Sequence, residues 1–266
     1  MHRHRLKLKL SIRFLSKWHT GSGEGNLLTD RLLQRDARGM PYIPGSTLKG
    51  VIRENCEKLS RTLGFKEPCD PHSKSADFFK PLSEVLSPVD RLFGNKFEEG
   101  GLYFRNAYLS GDSQRSYFQT GQMESGTPQN PGSGWHRSYF QTRVQMNRKL
   151  RTAKDAHLFT TEYGFSPDKA PGDVIEFVTF IDGHHQNLVI FDEEDPPFAY
   201  CLLLAAIRMT NRLGGDKSTG AGHLENSIAI TSFQYNDRTI DPEKYFKEKA
   251  DDYLNSSDYL EMRGSS

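Results

Sequence analysis

Apolar and polar residues alternate at the start of the chain. The apolar positions fall on every second residue, at Leu6, Leu8, Leu10, Ile12 and Phe14, and those between them are Lys7, Lys9, Ser11 and Arg13. Successive side chains of a strand point to opposite faces of a sheet, so this alternation predicts a half-buried strand. Its outer face is expected to be basic.

Two later segments have the three- and four-residue apolar spacing of amphipathic helices. In 47–64 this spacing covers Leu48, Val51, Ile52, Cys56, Leu59 and Leu63, with Ser46 or Thr47 as the cap and Gly64 as the stop. The segment 198–215, FAYCLLLAAIRMTNRLGG, predicts a second helix that ends at its glycine pair.

Strands are also indicated near 101–109, over 173–182 and over 223–234. The order strand–helix–strands–helix–strand predicts an α+β fold with a ferredoxin-like core, in a single domain 1–266 with long insertions at about 66–100 and 110–170. The second insertion contains RSYFQT twice, at 115–120 and 137–142, around a linker-like run. We interpret the copies as two arms of a protruding hairpin or as a local duplication.

The composition suits a globular protein with much exposed loop, since 35% of its 266 residues are hydrophobic and 26% are charged. No run approaches the ~20 apolar residues of a membrane span, and the basic N-terminus lacks the apolar core of a secretory signal. Three cysteines, an odd number, do not suggest a disulfide framework. We therefore expect a cytoplasmic protein with no membrane partner.

Basic residues are concentrated in two segments, although the net charge is only +1. Residues 1–17 and 137–154 each contain six Lys or Arg and no acid, whereas acids gather in 192–195 and after Asp237. Local basic segments can hold a nucleic-acid phosphate backbone. They are equally compatible with solvated protein faces.

A glycine-rich loop, GGDKSTGAGH, occupies 214–223. Its glycines would let backbone N–H groups approach an anion, and Lys217, Ser218 and Thr219 add a charge and two hydroxyl donors. A nucleotide P-loop is excluded because the lysine follows Asp216 and strand-like sequence comes next. A purely structural turn is the alternative.

The block PYIPGSTLKGVIR, at 41–53, places two prolines at the entry to the first helix. Gly45 and Ser46 open the N-terminus of the helix, where a phosphate can bind. Lys49 and Arg53 are four residues apart and share one face of the helix. Solvated cations on a capped helix would give the same pattern.

Several ordered blocks resemble the RAMP superfamily of CRISPR-associated proteins, and the backbone subunits of type III effector complexes in particular. The blocks are HTGSGEGN, TDRLLQRDARGMPYIPGSTLKGVIRE, DRLFGN, RVQMNRKLRTAKDAHLFTTEY and LLLAAIRMTNRLGGDKSTGAGHLE, in this order over roughly 6–225. The resemblance implies a subunit that stacks along a CRISPR guide RNA with further copies and other type III effector subunits. RNA contacts are expected at Ser46, Lys49, Arg53, Arg143, Lys217, Ser218 and Thr219.

The resemblance also implies cleavage of complementary target RNA by an aspartate in the loop before the PxIPGS block. Here that position is Asp30, while Asp36 is interpreted as a turn or cap residue. An RNA 2′-hydroxyl can attack the adjacent phosphate, and a carboxylate can accept a proton or hold a divalent cation, expected to be Mg²⁺. His19 could touch the guide backbone or transfer a proton, and Asp30 could instead be an ordinary loop acid.

The family's thumb hairpin, which wedges into the guide–target duplex, is expected in 109–150. The side chains suited to stacking and phosphate contact there are Tyr117, Phe118, Tyr139 and Phe140 with Arg115, Arg137 and Arg143. The rings could instead pack on each other. A structural zinc at Cys56, Cys69 and His72 is a weaker hypothesis, because three ligands without a fourth do not close a site; Cys201 is expected in the core.

The leading hypothesis is therefore a guide-bound backbone subunit that acts as a metal-dependent endoribonuclease within its complex. A purely structural RNA-binding subunit is the second hypothesis. A processing endonuclease that cuts precursor CRISPR RNA without a metal is the third, and the PxIPGS block with its preceding acid argues against it.

Overall fold

The computed structural model describes residues 3–65, 87–114, 138–147, 149–164, 175–186 and 195–255, with the single positions 68, 188 and 190. Its strands are β1 (Arg3–Arg13), β2 (Tyr42–Ile43), β3 (Leu102–Phe104), β4 (Ala107–Leu109), β5 (Ser138–Asn147), β6 (Thr152–Gly164), β7 (Glu176–Gln186), β8 (Ala229–Tyr235) and β9 (Arg238–Ile240). Its helices are α1 (Gly45–Thr62), α2 (Pro88–Phe93), α3 (Phe198–Met209) and α4 (Pro242–Asn255).

β1 lies at the centre of a seven-stranded sheet. The strands follow the order β2-β4-β7-β1-β8-β9, and β3 also pairs with β7. All of these pairs are antiparallel. The alternation in the sequence is realised, because Leu6, Leu8 and Leu10 are fully buried while Lys7 and Lys9 are exposed. Each buried leucine contributes about 2 kcal/mol relative to an exposed one.

The helices cover the apolar face of this sheet. α1 packs against α3, where Leu48, Ile52 and Cys56 join the core. α1 spans nearly the predicted segment and ends before Gly64, whose positive φ of 78° suits glycine. The α+β prediction is confirmed by the helices and antiparallel strands.

The second predicted helix is shorter than expected, because α3 ends at Met209 and not at Gly214-Gly215. The backbone turns away at Thr210, whose hydroxyl donates to Ala206 O at 2.9 Å. The following residues pair with the end of the glycine-rich loop, since Leu213 N donates to Gly222 O at 2.9 Å. This strand-like pairing removes the last turns that apolar spacing alone had suggested.

The insertion at 110–170 contains a separate two-stranded sheet made of β5 and β6. Ser138 lies opposite Gly164 and Val144 opposite Leu158 in this hairpin. Its base joins the main fold where Trp18 N donates to Gly164 O and Gly164 N donates to Trp18 O. The first RSYFQT copy and most of the 66–86 segment lie outside the described residues, while residues 138–142 of the second copy belong to β5.

Three further strand predictions changed in extent. The 101–109 segment forms two short strands, both paired with β7, and β7 itself continues to Gln186 beyond the predicted end at 182. The last predicted strand begins at Ala229, because Asn226 and Ser227 adopt positive φ values that interrupt extended structure. In the described parts of the chain no helix is long and apolar enough to cross a bilayer.

Candidate nucleic-acid interface

The glycine-rich loop is fixed against the segment that follows β1. Gly215 N donates to His19 O at 2.8 Å, and Gly222 N donates to Lys17 O at 2.7 Å. Gly214 has a φ of 89°, and a Cβ there would lie 2.3 Å from His19 O. Only glycine allows this close approach, so the loop sits directly on residues 17–19.

Asp216 is the charged centre of the loop. Its carboxylate accepts a hydrogen bond from the Tyr163 hydroxyl and pairs with Arg31 at 3.6 Å and Arg143 at 3.5 Å. Its side chain is only 16% exposed. We refer to Lys17, Arg31, Arg143, Tyr163 and Asp216 as the Asp216 cluster. With three cations and one carboxylate, the cluster carries excess positive charge suited to a phosphate.

Lys17 and Arg143 both lie over the Tyr163 ring, and both donate to Gln141 Oε1, at 2.7 Å and 3.4 Å. The Lys17 ammonium is 4.7 Å from the ring centroid and the Arg143 guanidinium 5.4 Å. Burial and the nearby Arg143 charge lower the pKa of Lys17, although Asp216 partly opposes the shift. Burial and the hydrogen bond to Asp216 raise the pKa of Tyr163 to about 12, so its hydroxyl stays a donor at neutral pH.

The predicted RNA contacts in the loop lie beside this cluster. Arg143 Nη1 donates to Thr219 Oγ1 at 3.3 Å, which ties the hairpin to the loop. Ser218 and Thr219 are exposed and Lys217 is half-buried. The hydrogen bond from Lys58 and, to a smaller extent, the nearby charge of Lys217 lower the pKa of the Glu54 carboxyl on α1. The structure thus brings Arg143, Lys217, Ser218 and Thr219 to one surface.

Asp30 is exposed at the edge of the hairpin. Its Oδ2 accepts from Thr160 N at 2.7 Å, and its own N–H donates to Thr160 O at 3.0 Å. These two bonds fix the carboxylate to β6, next to Arg31 and the Asp216 cluster. Among the described residues Oδ1 has no hydrogen-bond partner, so one oxygen is available to a ligand.

Asp36 is placed differently. Its carboxylate accepts from Arg38 N and Met40 N, each at 2.9 Å, and pairs with the Arg38 guanidinium at 3.2 Å. Burial opposes ionisation, but these hydrogen bonds outweigh it and lower the pKa of Asp36. The carboxylate closes a turn, as an aspartate commonly does.

His19 lies beneath the surface, with 5% of its area exposed. Its Nδ1 donates to the Glu162 carbonyl at 2.8 Å, and its ring packs edge-on against Tyr163. The imidazole therefore supports the Asp216 cluster from below. Its predicted contact with RNA remains a prediction.

The three predicted RNA contacts on α1 do not join the surface of the glycine-rich loop as one group. Ser46 is exposed and Lys49 half-buried at the start of the helix, near the N-terminus predicted to hold phosphate. Arg53 instead pairs with Glu57 at 2.8 Å and donates to Gly94 O at 3.2 Å. Its guanidinium is thus directed to the α2 side of the helix.

The hairpin has two unlike faces. Tyr139 and Arg143 face the glycine-rich loop, and the Tyr139 ring stacks on Tyr163 at 5.9 Å. The opposite face exposes Phe140 and Leu158. Arg115, Tyr117, Phe118 and Arg137, the other predicted thumb residues, lie outside the described residues.

The proposed metal ligands are not assembled in the described part of the chain. Cys56 is fully buried, and burial raises the pKa of its thiol. Cys69 and His72 lie outside the described residues. No group of three His, Cys, Asp or Glu that could hold a metal occurs among the residues described. Cys201 is buried in α3, as expected.

The sequence did not single out Lys17, Arg31, Tyr163 or Asp216 as site residues. The sequence gives only a weak indication of Asp216, because a carboxylate inside an otherwise cationic loop indicates an ion pair with a basic residue. Arg31 becomes its partner because residues 30–35 run alongside β6, where Glu162 N donates to Arg31 O at 2.9 Å, and Arg143 because β5 pairs with β6. That pairing joins residues far apart in sequence.

The sheet, the loop after β1 and the glycine-rich loop together define a RAMP-type protein. The family model of the RAMP superfamily matches residues 11–225, and the chain belongs to this superfamily. The chain is also similar to the CRISPR system Cms endoribonuclease Csm3 of Streptococcus thermophilus, with 29% identity over 114 residues. The match covers 40% of this chain and 46% of that protein, so it spans less than half of the relative.

Proposed function

We propose that this chain binds guide RNA as a backbone subunit of a type III CRISPR effector complex and that Asp30 takes part in cutting complementary target RNA. The observation that carries the proposal is the exposed Asp30 carboxylate, fixed beside the Asp216 cluster. The cations would hold phosphates, and the carboxylate would then lie next to the bound backbone. Membership in the RAMP superfamily and the similarity to Csm3 support this assignment.

The strand order supports a ferredoxin-like core. β8, β1, β7 and β4 are adjacent in this order, with α1 following β1 and α3 preceding β8. This places the segment after β1 and the glycine-rich loop at the same end of the sheet. The hairpin of β5 and β6 projects from that end and is our candidate for the thumb.

Cleavage would proceed by attack of a ribose 2′-oxygen on the adjacent phosphorus. The bond to the 5′-oxygen breaks, the 2′-hydroxyl proton passes to a base, and the leaving oxygen takes a proton from water. Asp30 would accept the first proton or orient the attacking hydroxyl. Bound Mg²⁺ would neutralise charge on the phosphate; Asp30 offers it one oxygen ligand, and RNA phosphates would supply others.

The test is cleavage of a guide-complementary RNA by the reconstituted complex. We expect Asp30→Asn to lower the rate at least about 100-fold, within the range for loss of an acid–base group, and EDTA to abolish cutting. Glu24→Gln, which removes an exposed acid from the same loop, is the matched control and should leave the rate unchanged.

Unchanged cleavage by Asp30→Asn in an intact complex would contradict the catalytic role. The chain would then be a guide-binding scaffold, which is the second candidate function. EDTA-resistant cutting of precursor repeat RNA by the isolated chain would instead favour a processing endonuclease.

A further inference from the structure

The face of the sheet opposite the helices is strongly basic. Along β1 the outward residues Arg3, Arg5, Lys7 and Lys9 are all exposed, while their neighbours are buried under the helices. Neither the Asp216 cluster nor Asp30 belongs to this face. Lys7 is six residues before Arg13 at the end of β1, about 20 Å at ~3.3 Å per residue.

These cations are not neutralised within the sheet. The nearest acid in register is Asp182, which lies opposite Lys7 on β7. Its carboxylate is already engaged by Arg105 of the loop after β3, at 2.7 Å. Among the described residues no carboxylate pairs with Arg5, Lys7 or Lys9, so their charges face solvent.

Two exposed aromatic rings lie on the same face of the sheet as these cations. Tyr103 on β3 is 55% exposed and lies opposite Asp182 of β7, which separates it from Lys7 on β1. Phe180 on β7 is 43% exposed and lies opposite Lys9, and the Arg105 guanidinium lies over its ring, 5.9 Å from the centroid. Exposed aromatic planes beside cations are the composition of surfaces that stack bases and hold a phosphate backbone.

A hollow of about 650 Å³ lies across these strands. Its wall includes the cations Arg5, Lys7 and Arg105 and the acids Asp182 and Asp237, together with Leu6, Tyr103, His184 and Gln234. Its volume falls within the ~300–1,000 Å³ of small-molecule sites, so one nucleotide fits. Gln234 and His184 add hydrogen-bonding groups that could meet a base edge.

We infer that this open face, centred on Lys7, Lys9 and Tyr103, is a second binding surface for single-stranded RNA, separate from the Asp216 cluster. An acidic protein partner would use the cations equally well. The rings favour RNA, because the exposed Tyr103 ring presents a flat apolar surface near these charges, which a stacked base would cover, and Phe180 already holds the Arg105 cation over its ring. The inference goes beyond the proposed guide contacts and does not depend on cleavage.

The test uses the full-length chain and a fluorescent oligouridine that contains 4-thiouridine. Ultraviolet crosslinks mapped by mass spectrometry should include Tyr103 or Phe180. Their yield should fall at least about fivefold in Lys7→Glu/Lys9→Glu, whose lost phosphate contacts also reduce the salt dependence of binding. Lys244→Glu/Lys247→Glu, with the same charge change on exposed positions of α4, is the control and should retain the crosslinks.

The stacking role is tested separately at Tyr103. Tyr103→Ala should weaken binding to the open face about fivefold or more, and Tyr103→Phe should retain it, because the ring stacks and the hydroxyl does not. These measurements are repeated with Arg31→Gln/Lys217→Gln, which weakens the proposed guide contacts only. The crosslinks at Tyr103 or Phe180 should survive in that variant.

Crosslinks confined to 17–35, 143–163 and 212–219, or unaffected by Lys7→Glu/Lys9→Glu, would overturn the inference. If crosslinks formed at the Asp216 cluster but not on the open face, the inference would fail and the proposed function would stand. If charge reversal spared RNA binding but released another subunit from the complex, the open face would be a protein-docking surface instead.

Discussion

Glu162 and Asp216, like Asp30, are carboxylates that join the hairpin to its surroundings. Glu162 is 5% exposed, pairs with Arg35 at 2.6 Å and accepts from Ser138 Oγ at 2.6 Å and Leu33 N at 3.0 Å. Every one of these bonds connects β6 to β5 or to residues 30–35. Glu162 therefore helps to position the segment that carries Asp30, through Leu33 and Arg35.

We expect Glu162→Gln to lower the free energy of unfolding by about 3 kcal/mol, since it leaves Arg35 without its buried counter-charge. Glu54→Gln is the matched control. It removes a carboxylate whose pair with Lys58 is more than half exposed, and it should cost less than about 0.5 kcal/mol. Urea unfolding at neutral pH measures both, and equal losses would contradict this role for Glu162.

The same carboxylate predicts a pH dependence. Burial opposes its ionisation, but the hydrogen bonds from Ser138, Leu33 and Arg35 outweigh burial and lower the pKa of Glu162 in the folded chain. Its stabilising contribution is therefore complete above the unfolded pKa of about 4.3 and is lost as pH falls through the lower folded value. Stability measured from pH 6 to pH 3 should fall more steeply in the wild type than in Glu162→Gln.

At the scale of elements, the glycine-rich loop depends on close backbone contact more than on its side chains. Gly222 has a φ of 74°, and a Cβ there would lie 1.9 Å from Leu213 O. Gly220 also has a positive φ, of 85°, but has nothing within 4 Å of the same position. Alanine substitutions at the two glycines therefore distinguish the cost of backbone strain alone from the cost of strain plus steric contact.

Gly222→Ala should lower the free energy of unfolding by at least about 3 kcal/mol, whereas Gly220→Ala should cost about 1 kcal/mol, the strain of a left-handed alanine alone. Because the loop carries Asp216, Gly222→Ala should also weaken RNA binding. Urea unfolding and fluorescence anisotropy give the two values. Equal costs for the two alanines would show that the contact with Leu213 is unimportant.

The sequence predicted local elements better than their ends. The alternation of β1 and the spacing in α1 predicted both elements and their buried faces, because those patterns are local. The end of α3 was predicted wrongly, since residues 211–213 pair with 222–224, a contact that apolar spacing does not encode. Most residues of the candidate site are likewise brought together by contacts between segments that are far apart in sequence.

At the scale of the whole molecule, the chain presents positive charge on two separate surfaces despite a net charge of only +1. One is the Asp216 cluster at the end of β1, and the other is the open face of the sheet. The sequence left open whether the basic segment 1–17 holds a phosphate backbone or forms a solvated face. The structure divides it, because Lys17 joins the cluster while Lys7 and Lys9 face outward from the sheet.

The most direct test of the account is the salt dependence of guide-RNA binding by the full-length chain. Arg31→Gln/Lys217→Gln removes two charges beside Asp216, and Lys244→Gln/Lys247→Gln removes two from exposed positions of α4 as the control. Each lost phosphate contact should reduce the slope of log affinity against log salt by about 0.7. The account predicts a slope smaller by about 1.4 for the first variant and unchanged for the control; equal slopes for both would contradict binding of RNA at the Asp216 cluster.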